Sequence, residues 1–230
     1  MNPITGRTMT LLRTGAEHSA ATALGTNRVL RNTYLLLSMT LLFSALAAGV
    51  SASLKLPHPG LVITLVGYFG LLFLTTKFRN SALGLAFVFA LTGFMGYMLG
   101  PIIGAYLQLP NGAQLVMTAT SATGAIFLGL SGYVRVSRRD FSFMGGFLMV
   151  GILVAFLAGL GAVFFEIPAL SLTVSAAFVL LMSGLILYQT SAIVQGGETN
   201  YIMATVTLFV SIFNLFTSLL HLLDFMNSSD

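Results

Sequence analysis

The chain has 230 residues, of which 57% are apolar and only 7% charged, with a net charge of +4 and no cysteine. A soluble domain carries about 25% charged residues on its surface, so this composition excludes a water-soluble globule and points to a polytopic membrane protein. The lack of cysteine excludes disulfides, thiolate metal sites and thiol nucleophiles, and the basic residues sit in short loops rather than on one face, which does not fit a nucleic-acid surface.

Residues 1–27 have no apolar core and do not read as a signal peptide. They are expected to form a flexible polar tail. Seven apolar runs follow, at 30–53, 60–76, 82–107, 113–134, 143–165, 169–194 and 201–223. A helix needs about 20 apolar residues to cross a bilayer, so the expected fold is an all-α membrane domain of seven transmembrane helices over 28–224, with a short tail at 225–230. The breaks are chemical. "KLPHPG" carries two prolines, "TKFRNS" two cations, "RVSRRD" three, and "LPNG" and "EIPA" are turn signals. In "QGGETN" a glycine pair ends one helix and a Thr/Asn pair is placed to cap the next.

Charge predicts the orientation. With the N-terminus inside, Arg7, Arg13, Arg28, Arg31, Lys77, Arg79, Arg135, Arg138 and Arg139 fall on the inner side, and only Lys55 falls outside. Nine against one follows the positive-inside rule. The N-terminus is therefore expected in the cytoplasm, the tail ending in Asp230 in the periplasm, and the polar stretch "LILYQTSAIVQGGETNYI" (185–202) on the cytoplasmic side.

Helical spacing predicts which faces pack. Asn200, Ala204, Thr207, Ser211, Asn214, Ser218 and His221 alternate at four and three residues and share one face of the last helix. That face is expected to point into the bundle and to make this helix central. It reads either as helix–helix glue or as the lining of a polar path. Thr118, Ala122, Ala125, Gly129 and Gly132 form a small face on the fourth span, and Gly96, Gly100 and Gly104 lie at four-residue spacing on the third, around Pro101. Both are expected to pack against neighbouring helices. One motif resembles a catalytic one: "GLSG" (129–132) matches the serine motif of rhomboid intramembrane proteases, with His221 as a conceivable base. The topology places Ser131 near the inner face and His221 near the outer, roughly 30 Å apart along the helices, where a serine and its base need about 3 Å. His18, His58 and His221 are spread too widely to build a metal site. No catalytic, cofactor-binding or metal-binding residue is expected. "NSS" at Asn227 is a formal glycosylation sequon.

The stretches "LRNTYLLLSMTLLFSALAAGV" (30–50), "LTGFMGYMLGPI" (91–102) and "LYQTSAIVQGGETNYIMATVTLFVSIFNLFTSLLHLL" (187–223), with the seven-span layout, resemble the Bax inhibitor-1 family. "HPGLVITLVGYFGLLFLT", "SFMGGFLMVGI" and "GGETNYIMATVTLFVS" resemble a bacterial inner-membrane branch of it that modulates the AAA protease FtsH. The resemblance implies a non-enzymatic protein of the bacterial inner membrane, with FtsH and the lipid bilayer as partners and no cofactor.

Calcium-leak members of the family carry two aspartates near the inner ends of the last two helices, and the alternative function the resemblance implies is a proton-sensitive calcium leak. In this chain those positions are Gln189, in "YQTS", and Ser211, in "VSIFNLF". A carboxylate pair can share one proton and act as a pH switch, whereas Gln and Ser do not titrate. Gln189 and Ser211 retain the capacity to hydrogen-bond across the two helices. Gln189, Glu198, Ser211 and Asn214 are thus the candidate polar site between helices six and seven, with Arg79 as the candidate basic partner. Glu198 also reads as a carboxylate stabilised at the start of helix seven by the helix dipole, at ~0.3–1 kcal/mol.

Overall fold

The computed structural model describes the backbone of residues 3–228 and the side chains of 25–227. The tail expected at 1–27 lies, up to residue 24, outside the described side chains. The described chain is α-helical: α1 (Pro3–Ser53), α2 (Leu61–Lys77), α3 (Ala82–Tyr106), α4 (Gly112–Ser137), α5 (Gly145–Phe164), α6 (Pro168–Val194) and α7 (Tyr201–Ser228), with a 3-10 turn over Ser142–Met144 ahead of α5. Breaks fall where the prolines, cations and turn residues demand them. Pro168 opens α6 at a position whose N–H no helix would use. Charged residues just past the ends of α1, α4 and α5, namely Lys55, Arg138 and Glu166, adopt a left-handed backbone and end those helices.

Six helices, counting Gly25–Ser53 of α1, are long and apolar enough to cross a membrane. The remaining one, α2, is apolar but has 17 residues, about 25 Å at the α-helical rise against a hydrocarbon layer of ~30 Å. The protein is a multi-pass membrane protein. Its outer surface agrees: Val62 and Phe73 of α2 and Phe147, Met149 and Val150 of α5 are exposed, as lipid-facing side chains are. These two peripheral helices meet edge to face through Phe69 and Phe156, with ring centroids 5.8 Å apart.

The tightest seam joins α1 to α3. A Cβ on Gly96 would overlap the Ser44 carbonyl oxygen, and one on Gly100 would overlap the Ser51 side chain. Glycine is thus required at both sites for the backbones to approach. Just beyond, Pro101 sits inside α3 and supplies no N–H to the carbonyl four residues back, that of Tyr97. Ser51 Oγ of α1 donates to that carbonyl at 2.9 Å, which satisfies it where no water is available. Tyr97 in turn donates its hydroxyl to the Pro57 carbonyl at 2.8 Å and so fastens the α1–α2 loop. Gly104, expected to continue the stripe, has open space where a Cβ would lie.

The small face expected to pack on α4 does not. Thr118, Ala125, Gly129 and Gly132 are exposed and Ala122 is half-buried, while Leu115, Ala119, Thr123, Phe127, Ser131 and Val134 are buried. The two faces share nearly the same four-residue spacing. Packing against α6 and α7 selects the face rather than side-chain size, since Met117 and Leu128 of α4 are exposed while Ala119 and Ser131 are buried. α7 packs against α1, α3, α4 and α6, and its Ala204, Thr205, Leu208, Ser211 and Leu215 are fully buried.

Leucine at Gly100 should destabilise the bundle by about 1–3 kcal/mol through overpacking, whereas leucine at Gly104 should change little. Ser51→Ala should cost about 1–3 kcal/mol by orphaning the Tyr97 carbonyl. Thermal unfolding of the three variants in detergent, followed by circular dichroism, checks the order; equal midpoints for the two glycine variants would refute the close-approach account.

Candidate functional site: a polar latch at one end of the bundle

The polar stretch at the end of α6 and the start of α7 ties three loops together. Asn200 precedes α7, and its Oδ1 accepts from the N–H groups of Ile202 and Met203, both at 3.0 Å. It therefore caps the helix with its carbonyl oxygen and has its amide nitrogen left to donate. That nitrogen reaches the Arg79 carbonyl at 3.0 Å and Asn80 Oδ1 at 2.8 Å, in the α2–α3 loop. Glu198 Oε1 accepts from the Asn200 N–H at 2.7 Å, closing the turn.

On the α6 side, Ser191 Oγ accepts from the Phe141 N–H at 3.0 Å and donates to the Arg139 carbonyl at 3.2 Å. Gln195 Nε2 donates to the Arg138 carbonyl at 2.7 Å. These bonds hold the α4–α5 loop, whose left-handed Arg138 ends α4. Gly196 turns the chain with φ 78°, and a Cβ there would lie 3.3 Å from Thr26 Oγ1 of α1. The latch therefore gathers α1 and three loops at one end of the bundle, and it is made almost wholly of neutral amides, hydroxyls and main-chain groups.

The residues expected to form a polar site are only partly brought together. Ser211 is fully buried and donates to its own helix at the Thr207 carbonyl, 2.7 Å away. Asn214 Nδ2 does the same to Val210 at 2.8 Å. Gln189 is buried, and its Nε2 has no hydrogen-bond partner. The hydrogen bond expected between Gln189 and Ser211 is thus absent, because a helical serine in apolar surroundings finds its nearest acceptor on the preceding turn. Glu198 and Arg79 lie at the latch instead, where Arg79 contributes its main-chain carbonyl. The buried polar groups Thr33, Thr190, Thr205 and Ser211 are all hydroxyls. They offer donors and acceptors, but nothing that binds or releases a proton near neutral pH.

Ser131 and His221 lie at opposite ends of α6. Ser131 Oγ is 3.4 Å from Thr190 Oγ1, and His221 Nδ1 is 2.8 Å from Ser175 Oγ. The two contact points are separated by about 22 Å at the helical rise, so the serine has no base within reach. The end that holds His221 is tied by a second set of bonds, from Asn111 Nδ2 to Asn227 Oδ1 at 2.6 Å and between Tyr106 and Asp224. The exposed Asn227 side chain of the formal sequon is thus bonded to Asn111 at the start of α4. Among the described residues no three His, Asp or Glu side chains converge on a metal-sized site.

Fold and site together define a multi-pass helical membrane protein whose polar groups knit helices and loops. The model of the family described as "Inhibitor of apoptosis-promoting Bax1" matches residues 26–229, and the chain belongs to this Bax inhibitor-1 family. It is 54% identical over 202 residues to a protein of Pseudomonas aeruginosa, covering 88% of this chain and 91% of that one. It is 50% identical over 210 residues to the Modulator of FtsH protease YccA of Escherichia coli K12, covering 91% and 95%, a sequence that in a second Escherichia coli strain is named an inner membrane protein. It is 43% identical over 229 residues to a membrane protein of Vibrio cholerae, covering 99% of both. The chain is a multi-pass protein of the bacterial inner membrane.

Asn200→Asp keeps the capping oxygen and loses the two donations to the α2–α3 loop, whereas Asn200→Ala loses both. Alanine should cost about 1–2 kcal/mol for the cap alone, with aspartate in between. Both should speed hydrogen exchange in residues 78–81, and unchanged exchange there would remove Asn200 from the latch.

Proposed function

We propose that this protein is a non-enzymatic modulator of the membrane-embedded AAA protease FtsH, acting as a competing and slowly degraded substrate. The observation that carries the reading is the 50% identity, over nine-tenths of the chain, to a relative named for modulating that protease. The latch and the self-satisfied hydroxyls of α7 support a role through contact with other membrane proteins. The competing reading, a proton-sensitive calcium leak between helices six and seven, lacks its titrating pair, since Gln189 and Ser211 occupy those positions.

In this proposal all seven helices span the bilayer, α2 included, with the N-terminus in the cytoplasm and residues 225–230 in the periplasm. The latch then faces the cytoplasm, the side on which such a protease unfolds its substrates. Residues 1–27 would be the segment the protease grips. They hold Arg7, Arg13, Glu17 and His18 among Thr, Ala, Gly and Ser, with little to bury. Their reach is roughly 80–95 Å when extended and about 40 Å as a helix. Behind them, a bundle whose helices must each leave the bilayer resists extraction and occupies the protease. In this reading the candidate site residues Gln189, Glu198, Ser211 and Asn214, with Arg79, position helices and loops.

Three outcomes test this. A reporter fused after Asp230 should read as periplasmic and one inserted at 137–140 as cytoplasmic; a cytoplasmic C-terminus would break the orientation. Removing residues 1–26, so that the chain starts near Asn27, should prolong its lifetime in pulse–chase experiments in cells containing FtsH while leaving the bundle folded. An unaltered lifetime, or the same lifetime with and without the protease, would defeat the substrate-competition mechanism. In liposomes the purified protein should pass little calcium between pH 5 and 8, and Gln189→Asp with Ser211→Asp should raise the flux. Strong acid-sensitive flux in the unaltered protein, abolished by Glu198→Gln, would instead establish the leak.

A further inference from the structure

A groove of about 1120 Å³ lies between α1, α3 and α4, floored by α7. Phe127 of α4 lines it, and its ring centroid lies 6.1 Å from that of Tyr34 of α1. Phe209, Phe213 and Phe216 of α7 form its floor. Gly49, Gly104 and Gly124, from three different helices, line it, and each has open space where a Cβ would lie. The hydroxyls on its walls are turned inward to main-chain carbonyls: Thr120 to Val116 at 2.8 Å and Thr123 to Ala119 at 2.7 Å. An apolar trough of this size exceeds the ~300–1,000 Å³ of most small-ligand sites.

The end at the α1–α2 loop is chemically different. Lys55 and His58 line it. Lys55 follows the end of α1 directly, which places its ammonium at the level where hydrocarbon gives way to headgroups. His58 Nδ1 accepts from the Gly60 N–H at 3.1 Å, so the proton of its neutral ring resides on Nε2 and that nitrogen is a donor. Asp224, which is bonded to Tyr106, lines with His58 an adjoining hollow of about 500 Å³ rather than the groove itself. A cation and an N–H donor above an apolar trough match a phosphate above an acyl chain.

We propose that this groove holds an anionic phospholipid, its phosphate between Lys55 and His58 and an acyl chain along the phenylalanine floor between α1 and α4. Charge selects the anionic class, because a zwitterionic headgroup brings its own ammonium to compete with Lys55.

Native mass spectrometry of the full chain in detergent tests this, with phosphatidylglycerol and a diacylglycerol of the same chains as probes. Phosphatidylglycerol should be retained and the diacylglycerol held at least about tenfold more weakly, the weight of one charge-assisted hydrogen bond. Lys55→Gln combined with His58→Gln should weaken phosphatidylglycerol by a similar factor, and Gly124→Phe, which fills the trough, should weaken both lipids. Equal retention of the two lipids, or undiminished phosphatidylglycerol binding by the mouth variant, overturns the proposal. If Gly124→Phe does not fold, the mouth variant alone decides. A photo-crosslinker at Gly104 that captures a protein rather than lipid in native membranes also overturns it.

Discussion

Hydrocarbon leaves a main-chain carbonyl nowhere to go but another part of the same protein, and the rest of this bundle is arranged around that constraint. Its sharpest instance is the α1–α3 seam. Pro101 frees the Tyr97 carbonyl, and Ser51 of the neighbouring helix takes it up. That bond forms only because Gly96 and Gly100 let the two backbones approach. The same tyrosine then secures the following loop through Pro57. A proline that would break a soluble helix becomes the point where two membrane helices are joined.

The polar residues follow the same rule at the bundle's two ends. One end is knit by Asn200, Ser191 and Gln195, which bond the main chains of loops far away in sequence. The other is knit by His221 with Ser175 and by Asn111 with Asn227. Between them the hydroxyls and amides of α7 mostly bond within their own helix. A fold stabilised this way is firm at its surfaces and chemically quiet in the middle. The proposed modulator role draws on this firmness. Gln189 departs from this, buried with an unpaired Nε2, as do the hydroxyls of Thr33 and Thr64. Keeping a polar side chain there without a partner costs about 1–3 kcal/mol.

Sequence by itself determined the membrane class and most helix limits to within a few residues, because hydrophobic length is a local property of the chain; it did not show that α1 starts at Pro3, or that α7 is buried beyond one face, as at Thr205, Leu208 and Leu215. It also showed which family the last two helices resemble, and that Gln and Ser replace two titrating groups. It could not choose between the two faces of α4: Thr118–Gly132 and Leu115–Val134 repeat with nearly the same period, and only the neighbouring helices decide which is buried. Nor could it separate Gly100 from Gly104, one pressed against Ser51 and the other open to a groove. The partners of Asn200, Ser191 and Gln195 lie 50 to 121 residues away. The groove is assembled from residues of α1, α3, α4 and α7 together. Such features depend on distances between segments remote in sequence, and tertiary packing alone sets those distances.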